Sequence, residues 1–479
     1  MPQRTSGDLS VPPVSTVVSS RSDSRPVSRE RFKTPALAPY VSLSEVLSAL
    51  SHALDLTEGQ PLGHTVRSCV IGMRLAESLE LGAGERSALY YALLLKDAGC
   101  SSNAARMAAL FGSDDRRVKP RMKFVDWHKR VRLALQTAKN CALGDSLFER
   151  ARCFVAIART EGMTRDLIKV RCERGADIAR QLGFPQATAD AIRSLDEHWC
   201  GRGYAEGLEQ EQIPLLARIA GLAQTIEIFH ARDGVERALQ VVAQRRGSWF
   251  DPKLVDIVVA WKKDMWWWNS LKAETAYEMV LAAEPEDETR YVDADGLDRV
   301  ALAFAEIIDT KSPFTYRHSI AVADYAKAVA TRMNLDAEAI RQLYRASLLH
   351  DIGKLGVSSR ILEKAGPLTP EERTQMQEHP VHTMAILERV SAFRRFARVA
   401  AFHHEKLDGS GYPWRLQASE LDQPARILAV ADVYDALTAG RPYREPMPPG
   451  DALMFLRSQR GAKLDALAVD ALEAGIRGH

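Results

Sequence analysis

The chain has 479 residues, of which 46% are hydrophobic and 26% are charged, and its formal net charge is +2. This length allows two or three domains, each with its own core. The near-neutral charge gives no electrostatic signature of nucleic-acid binding, and no apolar run approaches the ~20 residues that cross a bilayer. Because the N-terminus also lacks the pattern of a secretory signal, we expect a cytoplasmic protein that binds neither DNA nor membrane.

The first 40 residues are rich in Ser, Pro and Arg and show no apolar periodicity, which predicts a disordered tail. From Val41 onward, apolar residues recur at helical spacing, as in SLSEVLSALSHAL and HSIAVADYAKAVATRM. Alternating runs of β-branched residues are nearly absent. We therefore predict an all-α chain.

The sequence contains a diverged internal repeat. The spacing that separates His64 from His318 also separates Asp97 from Asp351. Further along, GRGYAEGL parallels GSGYPWRL at a smaller spacing, because the first copy carries an insertion roughly between residues 103 and 156. Self-similarity of this kind predicts two tandem copies of one helical bundle.

The predicted boundaries follow from the repeat and from composition. The first copy spans residues 41–283 and the second spans residues 297–479, and the polar, acidic stretch 284–296 suits a linker. Near the end of the first copy, WKKDMWWWNS places four tryptophans close together. We favour packing against the first copy; the alternative is an inter-domain or homodimer contact through Trp266–Trp268.

Cysteine and histidine are distributed differently. The six cysteines are scattered through the first half without any CxxC pair, which is typical of reduced thiols. Six of the twelve histidines, by contrast, lie in one region of the second copy. That clustering requires a chemical explanation.

Seven side chains of the second copy are potential metal ligands: His318, His350, Asp351, His379, His403, His404 and Asp432. A single histidine is more often an ordinary core or surface residue, but seven such residues in helical segments favour a metal site. Neutral imidazole and carboxylate suit divalent first-row metals. Asp351 is the natural bridging ligand, because a carboxylate can bind two ions through its two oxygens. Two ions ~3.5–4 Å apart are a common means of cleaving a phosphoester.

The motifs HDIGKLGV, EHPVHTMAIL, HHEKLDGSGYP and RILAVADVYDALTAGRPYR together resemble the HD-GYP family of the HD phosphohydrolase superfamily. The resemblance covers about residues 298–477. It implies a helical bundle that binds two or three metals, usually iron or manganese. Members of that family hydrolyse cyclic di-GMP to the linear dinucleotide or to GMP, and some prefer cyclic GMP-AMP.

Carried over by position, the resemblance implies the same seven ligands and a catalytic pair, Asp351 and Lys354. The Lys354 ammonium would stabilise charge that develops on the scissile phosphate. Arg441 and Arg444 would hold substrate phosphate or guanine with their guanidinium forks. Tyr412 would lie near the base, within a signature loop formed by Gly409, Gly411, Tyr412 and Pro413.

Some members of the family hold a third metal with a glutamate one helical turn before the first histidine, where this chain has Phe314. We therefore predict two divalent ions, iron or manganese first and zinc or nickel as alternatives. His382 matches no ligand of the family, which favours a helix-surface or supporting position.

The first copy keeps His64 and Asp97 but loses the other candidate ligands. The substituted positions, in chain order, are Lys96, Cys100, Arg171, Leu195-Asp196-Glu197 and Gln224. A lysine beside the remaining carboxylate would repel a divalent cation, so we predict a degenerate copy without metal. Its role is interpreted first as a scaffold or dimerisation unit and second as a small-molecule sensor.

Three functional hypotheses follow. The first is a cyclic di-GMP phosphodiesterase producing pGpG or GMP. The second is the same chemistry on cyclic GMP-AMP or another nucleotide. The third is a signalling or interaction module with weak turnover, which the first copy and the tail make plausible but which does not need an intact ligand set.

Overall fold

The computed structural model describes residues 40–141, 147–159, 163–204, 206–315, 317–440 and 445–477. These residues are almost entirely helical, and their only strands are two short ones, β1 (Val41–Ser42) and β2 (Tyr291–Val292). The predicted all-α class is thereby confirmed. The predicted disordered tail lies outside the described residues except for Tyr40. Among the described helices, none is both long enough and apolar enough to span a membrane.

The first half contains fourteen described helices, and their bounds are as follows: α1 Leu43–Glu58, α2 His64–Ser78, α3 Ala83–Leu95, α4 Ala104–Phe111, α5 Asp115–Lys123, α6 Arg130–Asn140, α7 Leu147–Arg159, α8 Met163–Gln181, α9 Gln186–Arg193, α10 Leu215–Asp233, α11 Val235–Gln244, α12 Pro252–Ala260, α13 Met265–Ser270 and α14 Ala273–Ala282. A short 3-10 turn, Ala98–Ser101, follows α3.

Ten described helices make up the second half: α15 Ala294–Asp309, α16 His318–Arg332, α17 Ala337–Leu349, α18 Ser359–Leu362, α19 Pro370–Gln377, α20 His379–Leu387, α21 Arg394–Ala401, α22 Gln423–Thr438, α23 Pro449–Gln459 and α24 Ala466–Arg477. A 3-10 turn, Ile352–Gly356, follows α17 and is called the catalytic turn below, because it carries Lys354, for which the resemblance implies a catalytic role.

The two halves repeat one arrangement of helices. In each half the last turn of a long helix carries a buried aspartate that fixes the start of the next helix: Asp55 accepts a hydrogen bond from the backbone N–H of Thr65, and Asp309 accepts one from Ser319. The insertion that sequence comparison places in the first copy folds as α4 to α7. Apolar faces of helices from both halves form one continuous core.

The halves are in contact through their 3-10 turns. Helix α1 of the first half packs against the catalytic turn and α20, and α15 of the second half packs against the Ala98–Ser101 turn. Strand β1, which precedes α1, pairs antiparallel with β2, which precedes α15. Residues from Pro39 onward form one compact unit. The domain boundaries drawn from the sequence stay predictions.

The tryptophan cluster is mostly internal. Trp261, Trp267 and Trp268 are buried in the core of the first half, whereas Trp266 is 82% exposed. Arg74 lies over the rings of Trp261 and Trp267 at 4.5 and 4.2 Å from their centroids. Three of the four rings therefore pack as the favoured interpretation predicts, and a dimer contact through this cluster stays a prediction.

Candidate metal centre

The seven candidate ligands lie at helix ends or on one helix face that point to a common centre. His318 and His379 are the first residues of α16 and α20. His350 and Asp351 follow the last residue of α17, and His403 and His404 follow α21. Asp432 lies within α22. Because helix ends leave the chain free to turn, side chains that are distant in sequence converge there.

Asp351 is at the centre of this constellation. Its Oδ2 atom lies 3.5 Å from Nε2 of His318 and 3.4 Å from Nε2 of His350. Its Oδ1 atom lies 3.4 Å from Nε2 of His379 and 3.6 Å from Nε2 of His403. The two carboxylate oxygens therefore face two different pairs of imidazoles, which is the arrangement that a bridging ligand needs.

Asp432 spans the same two groups from the opposite side. Its Oδ1 atom lies 3.4 Å from Nε2 of His318, and its Oδ2 atom lies 3.6 Å from Nδ1 of His404. The candidate ligands form three groups, and within each group the ligand atoms lie within 4.8 Å of one another. The groups are His318, His350 and Asp432; His350, Asp351 and His403; and His379, His403 and His404. All seven predicted ligands are included.

Backbone carbonyl groups fix the orientation of three of these imidazoles. Nδ1–H of His350 donates to the carbonyl of Ser347, and Nδ1–H of His403 donates to that of Ala400, both at 2.6 Å. His379 makes the same bond to Met376. Such a bond sets the tautomer and leaves Nε2 with its lone pair toward the centre, as a metal ligand requires.

The protonation of the histidines also suits metal binding. Burial lowers the pKa of His379 to about 3 and that of His403 to about 4, because a buried imidazolium loses its hydration. Burial, together with the neighbouring His403, lowers the pKa of His404 well below its ordinary value. These three imidazoles are therefore neutral near pH 7 and can donate a lone pair.

His318 is held by a residue that the sequence reasoning missed. Its Nδ1–H donates to Oδ2 of Asp435 at 2.5 Å. Burial opposes charge on His318, but the neighbouring carboxylates of Asp351, Asp432 and Asp435 outweigh it and raise its pKa well above the ordinary value. Asp435 lies three residues after Asp432 on α22, hence on the same helix face. That spacing is the signal that could have revealed it.

A close approach of two backbones positions the His-Asp pair. A Cβ atom on Gly353 would overlap the carbonyl oxygen of His379, so only glycine fits between the catalytic turn and α20. Thr383 of α20 donates its hydroxyl to the carbonyl of His350 at 2.8 Å and accepts the N–H of Gly353 at 3.1 Å. These bonds fix the catalytic turn against the helix that carries His379.

The donor set fits divalent metal ions. Nε2 of His318, Nε2 of His350 and Oδ1 of Asp351 are buried without a hydrogen-bond partner among the described residues. A native core rarely leaves buried polar atoms unsatisfied. Five imidazoles and two carboxylates, most of their ligand atoms aimed at one small space, therefore match the nitrogen and oxygen ligands that divalent first-row metals prefer.

A large cavity of about 930 Å³ opens from this centre. His379, His404 and Asp432 form part of its floor, together with Lys354 and Tyr412. Nζ of Lys354 donates to Oδ2 of Asp351 at 2.5 Å, and the ring of Tyr412 lies 4.7 Å from that of His404 between centroids. The walls add four basic side chains: Lys364, Arg373, Lys406 and Lys463.

The signature loop, residues 409–413, is organised by Glu405, the third residue of the HHE string. The buried carboxylate of Glu405 accepts the backbone N–H groups of Trp414 at 2.8 Å, Arg415 at 3.2 Å and Leu416 at 3.0 Å. Gly411 lies so close to Glu405 that a Cβ atom would overlap its backbone. The loop therefore turns tightly at the cavity edge, which places Tyr412 beside His404. Arg441 and Arg444 lie outside the described residues, so their predicted roles stay predictions.

The corresponding centre of the first half is filled by an ammonium group. Nζ of Lys96 lies 3.0 Å from Nε2 of His64 and donates to Oδ2 of Asp97. Glu227 corresponds to Asp435 and still holds Nδ1 of His64. Gly99 lies close to the backbone carbonyl of Arg171, just as Gly353 lies close to that of His379. This supports the predicted correspondence of Arg171 with His379.

A second ion pair closes the remainder of that centre. Arg171 pairs with Asp196, at the position that corresponds to His404. Glu58, Asp97 and Cys100 offer another set of three ligand atoms within 4.8 Å of one another. Lys123 lies 2.7 Å from Glu58 and 3.9 Å from Asp97, so the carboxylates are already neutralised by lysine. The first half therefore keeps the backbone arrangement of the site, but lysine and arginine side chains occupy its centre.

Comparison with known proteins agrees with the predicted family and fold. The sequence profile of the HD domain family matches residues 157–254 and 303–467. The chain belongs to the HD domain family. This confirms the predicted place in the HD phosphohydrolase superfamily and the prediction of a metal-dependent hydrolase.

Individual relatives cover most of the chain. The 3'3'-cGAMP-specific phosphodiesterase 3 of Vibrio cholerae serotype O1 is 42% identical over 436 residues, which are 91% of this chain and 94% of that protein. The 3'3'-cGAMP-specific phosphodiesterase 1 of the same organism is 29% identical over 65% of this chain and 75% of its own length. The cyclic di-GMP phosphodiesterase response regulator RpfG of Xanthomonas campestris is 37% identical over 43% of this chain and 53% of its own length.

A solved structure has the same overall fold. The crystal structure of the V. cholerae cyclic GMP-AMP specific phosphodiesterase V-cGAP3 is 37% identical in sequence and superposes with a TM-score of 0.63. The match covers 91% of this chain and 98% of that one. The likeness therefore includes both halves.

Proposed function

We propose that the protein is a phosphodiesterase that uses two divalent metal ions to hydrolyse a cyclic dinucleotide, with 3'3'-cyclic GMP-AMP as the preferred substrate. The observation that carries the proposal is the central position of Asp351, whose two oxygens face two separate groups of imidazoles above one large cavity. Hydrolysis of one phosphodiester bond by water would release the 3' oxygen and leave a linear dinucleotide.

The residues that would hold the two ions are those of the two groups. One ion would take His318, His350 and Asp432, and the other would take His379, His403 and His404, with Asp351 shared. When bound, such a metal pair activates water and neutralises charge on the phosphate. Asp435 keeps the His318 ring oriented, and neutral His379 and His403 supply lone pairs.

The cavity suits a substrate with two phosphates and two bases. Its volume of about 930 Å³ lies in the upper range of small-molecule sites, which run from about 300 to 1,000 Å³. Lys354 lies beside Asp351 and would stabilise the charge of the scissile phosphate. Lys364, Arg373, Lys406 and Lys463 give the walls the positive charge that a second phosphate would need.

Cyclic GMP-AMP is placed ahead of cyclic di-GMP because of the relatives. The two relatives that cover most of this chain are both named for 3'3'-cGAMP, and the second of the sequence hypotheses already included this substrate. Each of the relatives named for cyclic di-GMP covers less than half of this chain. Cyclic di-GMP is therefore the second candidate substrate.

The decisive experiment is turnover of a substrate panel by protein loaded with manganese or with iron. Chromatography should show 3'3'-cyclic GMP-AMP converted to a linear dinucleotide, with kcat/KM at least about tenfold above that for cyclic di-GMP. Metal-loaded protein that leaves every cyclic dinucleotide intact would contradict the proposal. A preference for cyclic di-GMP would overturn the choice of substrate alone.

A matched pair of variants links turnover to the proposed centre. Asp351→Asn should abolish turnover and lower the metal content measured by elemental analysis. Asp97→Asn makes the same change at the equivalent position of the first half, where Lys96 already occupies the centre, and should leave metal content and kcat unchanged. Equal loss in both variants would mean that the assignment of the centre to the second half is wrong.

A further inference from the structure

The first half contains a second cavity of about 180 Å³, distinct from the proposed catalytic cavity. Helices of the insertion, α4 to α7, contribute Met107, Leu110, Phe111 and Leu133 to its walls, and α8 contributes Leu167 and Ile168. Glu58, Lys119, Lys123 and Arg171 line its polar side, next to the ammonium-filled centre. The insertion thus forms much of the wall of a cavity beside the ammonium-filled centre.

The cavity is mainly apolar and large enough for one aromatic ring. Met122 and Trp127 add to the apolar walls described above. An apolar protein cavity of about 150 Å³ can bind benzene. A volume of about 180 Å³ therefore allows a ring with one or two further heavy atoms.

One polar group in this cavity is unpaired. Asn103 is only 6% exposed, and its Nδ2 donates to the carbonyl of Leu167 at 3.3 Å. That bond fixes which side of the amide carries the oxygen. Oδ1 of Asn103 is buried and has no hydrogen-bond partner among the described residues. A buried acceptor without a donor is costly, and a ligand with one N–H or O–H group would satisfy it.

The charges around the cavity are balanced, so a charged ligand is not required. Lys119 lies 3.3 Å from Glu58 and 3.9 Å from Asp115, and Lys123 lies 2.7 Å from Glu58 and 3.9 Å from Asp97. Arg171 pairs with Asp196. Since each cation that lines the cavity already has a carboxylate partner, an added ionic group would be buried without compensation.

We propose that this cavity is an effector site for a small uncharged aromatic molecule that carries a single hydrogen-bond donor, of the size of phenol or indole. The donor would bond to Oδ1 of Asn103, and the ring would pack against the methionine, leucine and phenylalanine side chains of the insertion. Occupancy would be transmitted to the catalytic half through α5.

Helix α5 connects the cavity with the catalytic turn. Its last two turns contribute Lys119, Met122 and Lys123 to the cavity. Its first turn reaches the second half: Oδ1 of Asp115 accepts the N–H of Ser359 at 2.9 Å, and Arg116 donates to the carbonyl of Gly356. Gly356 ends the 3-10 turn that carries Lys354. A ligand that shifts α5 would therefore act directly on the segment beside Asp351.

Binding is tested first, with phenol, indole and toluene as probes and the full-length protein labelled at its methionine methyl groups. Met107 and Met122 line the cavity, so their NMR signals should shift saturably with phenol and with indole, at a dissociation constant of about 10 µM to 1 mM. The absence of any saturable shift would overturn the effector site, whatever the fate of the proposed phosphodiesterase activity.

Two variants localise the ligand. Toluene has the shape of phenol without its donor, so Asn103→Ala should reduce the preference for phenol over toluene by about three- to tenfold. Leu133→Phe fills the cavity and should weaken phenol binding more than tenfold. Leu135→Phe makes the same change on the same helix at a 59% exposed position and should leave binding intact. Equal effects of the two leucine variants would contradict binding in this cavity.

Transmission is tested by turnover of the cyclic dinucleotide, and this arm rests on the proposed function. Saturating phenol should change kcat/KM at least twofold in the unaltered protein and in Leu135→Phe, and not in Leu133→Phe. Arg116→Met removes the bond to Gly356 and should keep phenol binding while losing its effect on kcat/KM. Saturable binding with kcat/KM unchanged in the unaltered protein would overturn transmission through α5.

Discussion

The two halves of this chain are built on one frame and differ in what supplies positive charge at its centre. In the second half, His318, His350 and Asp351 leave buried lone pairs without a partner among the described residues. In the first half, the ammonium group of Lys96 lies between His64 and Asp97 and satisfies them. In the first half a lysine ammonium group therefore occupies the place that the second half leaves without a partner.

The halves also differ in the size of the cavity beside each centre. The cavity of the second half has a volume of about 930 Å³, whereas the one that α4 to α7 help to form beside the first centre has about 180 Å³. The larger cavity has room for the proposed dinucleotide, and the smaller one has room for a single ring. Four predictions test how far this contrast holds, in decreasing order of expected effect.

The largest effect is expected when His350 is replaced by lysine, the residue that the first half has at the equivalent position, Lys96. His350→Lys removes one ligand and adds an ammonium group beside Asp351, so kcat should fall at least about 10³-fold, since metal-supplied charge stabilisation is worth several kcal/mol. Elemental analysis should show less metal. Lys96→His, the reverse change, should not create a metal site because Arg171 and Gln224 remain. Turnover close to that of the unaltered protein in His350→Lys would contradict the ligand assignment.

Lys354 and Cys100 occupy equivalent positions, and only Lys354 lines the large cavity. Lys354→Ala should lower kcat by about 10²–10³-fold, because a charged donor next to the phosphate is lost, while metal content stays the same. Steady-state kinetics with elemental analysis checks this. Cys100→Ala is the control and should leave kcat unchanged; a similar loss there would indicate a general structural effect.

Asp435 and Glu227 are the carboxylates bonded to Nδ1 of His318 and of His64, respectively, and we expect them to have different roles. Asp435→Asn should weaken metal affinity by about 10–100-fold, since it supports the His318 ring; metal titration measures this. Glu227→Gln should instead destabilise the fold by about 3–5 kcal/mol, because it breaks a buried pairing with His64 and Arg67. Denaturant unfolding would show that loss, with kcat of the folded protein unchanged.

The smallest expected effect is a change in thermal stability on replacement of Lys311, a residue whose equivalent in the first half is Thr57. Burial lowers the pKa of Lys311 to about 7, and its Nζ donates to the carbonyl of Leu355 at 2.6 Å. The unfolded lysine has a pKa of about 10.4, so between pH 7 and 10 the unfolded state binds more protons and stability rises with pH. Lys311→Met should raise the Tm at pH 7 by a few degrees and flatten this rise. An unchanged pH profile would contradict the depressed pKa.

The sequence was sufficient for the class of fold and for the set of candidate ligands. Helical periodicity predicts the all-α chain, and the motifs around His318, His350 and His403 identify candidate ligands that the structure brings together. The repeat predicts the matching frame, including Lys96 at the position of His350. These features could be predicted because they depend on short motifs or on a constant spacing between residues, both of which can be read directly from the sequence.

Other features depend on packing between distant segments and could not be predicted. The contact of Asp435 with His318 depends on the packing of α22 against α16, which the sequence alone does not show. The cavity beside Asn103 arises because the insertion folds back over the first centre, whereas the sequence shows only a difference in spacing. The effect of Gly353 requires the position of α20. Roles for Arg441 and Arg444 stay predictions from the resemblance.

The reciprocal contact of the halves indicates that the second half depends on the first for its packing. Helix α1 packs against the catalytic turn, and Glu284, at the start of the predicted linker, accepts hydrogen bonds from Ser44 and Tyr91 of the first half. A fragment that began at residue 297 would lack α1, so the turn that carries Lys354 would lose one of the helices packed against it. We therefore expect deletion of the first half to disturb the segment beside Asp351.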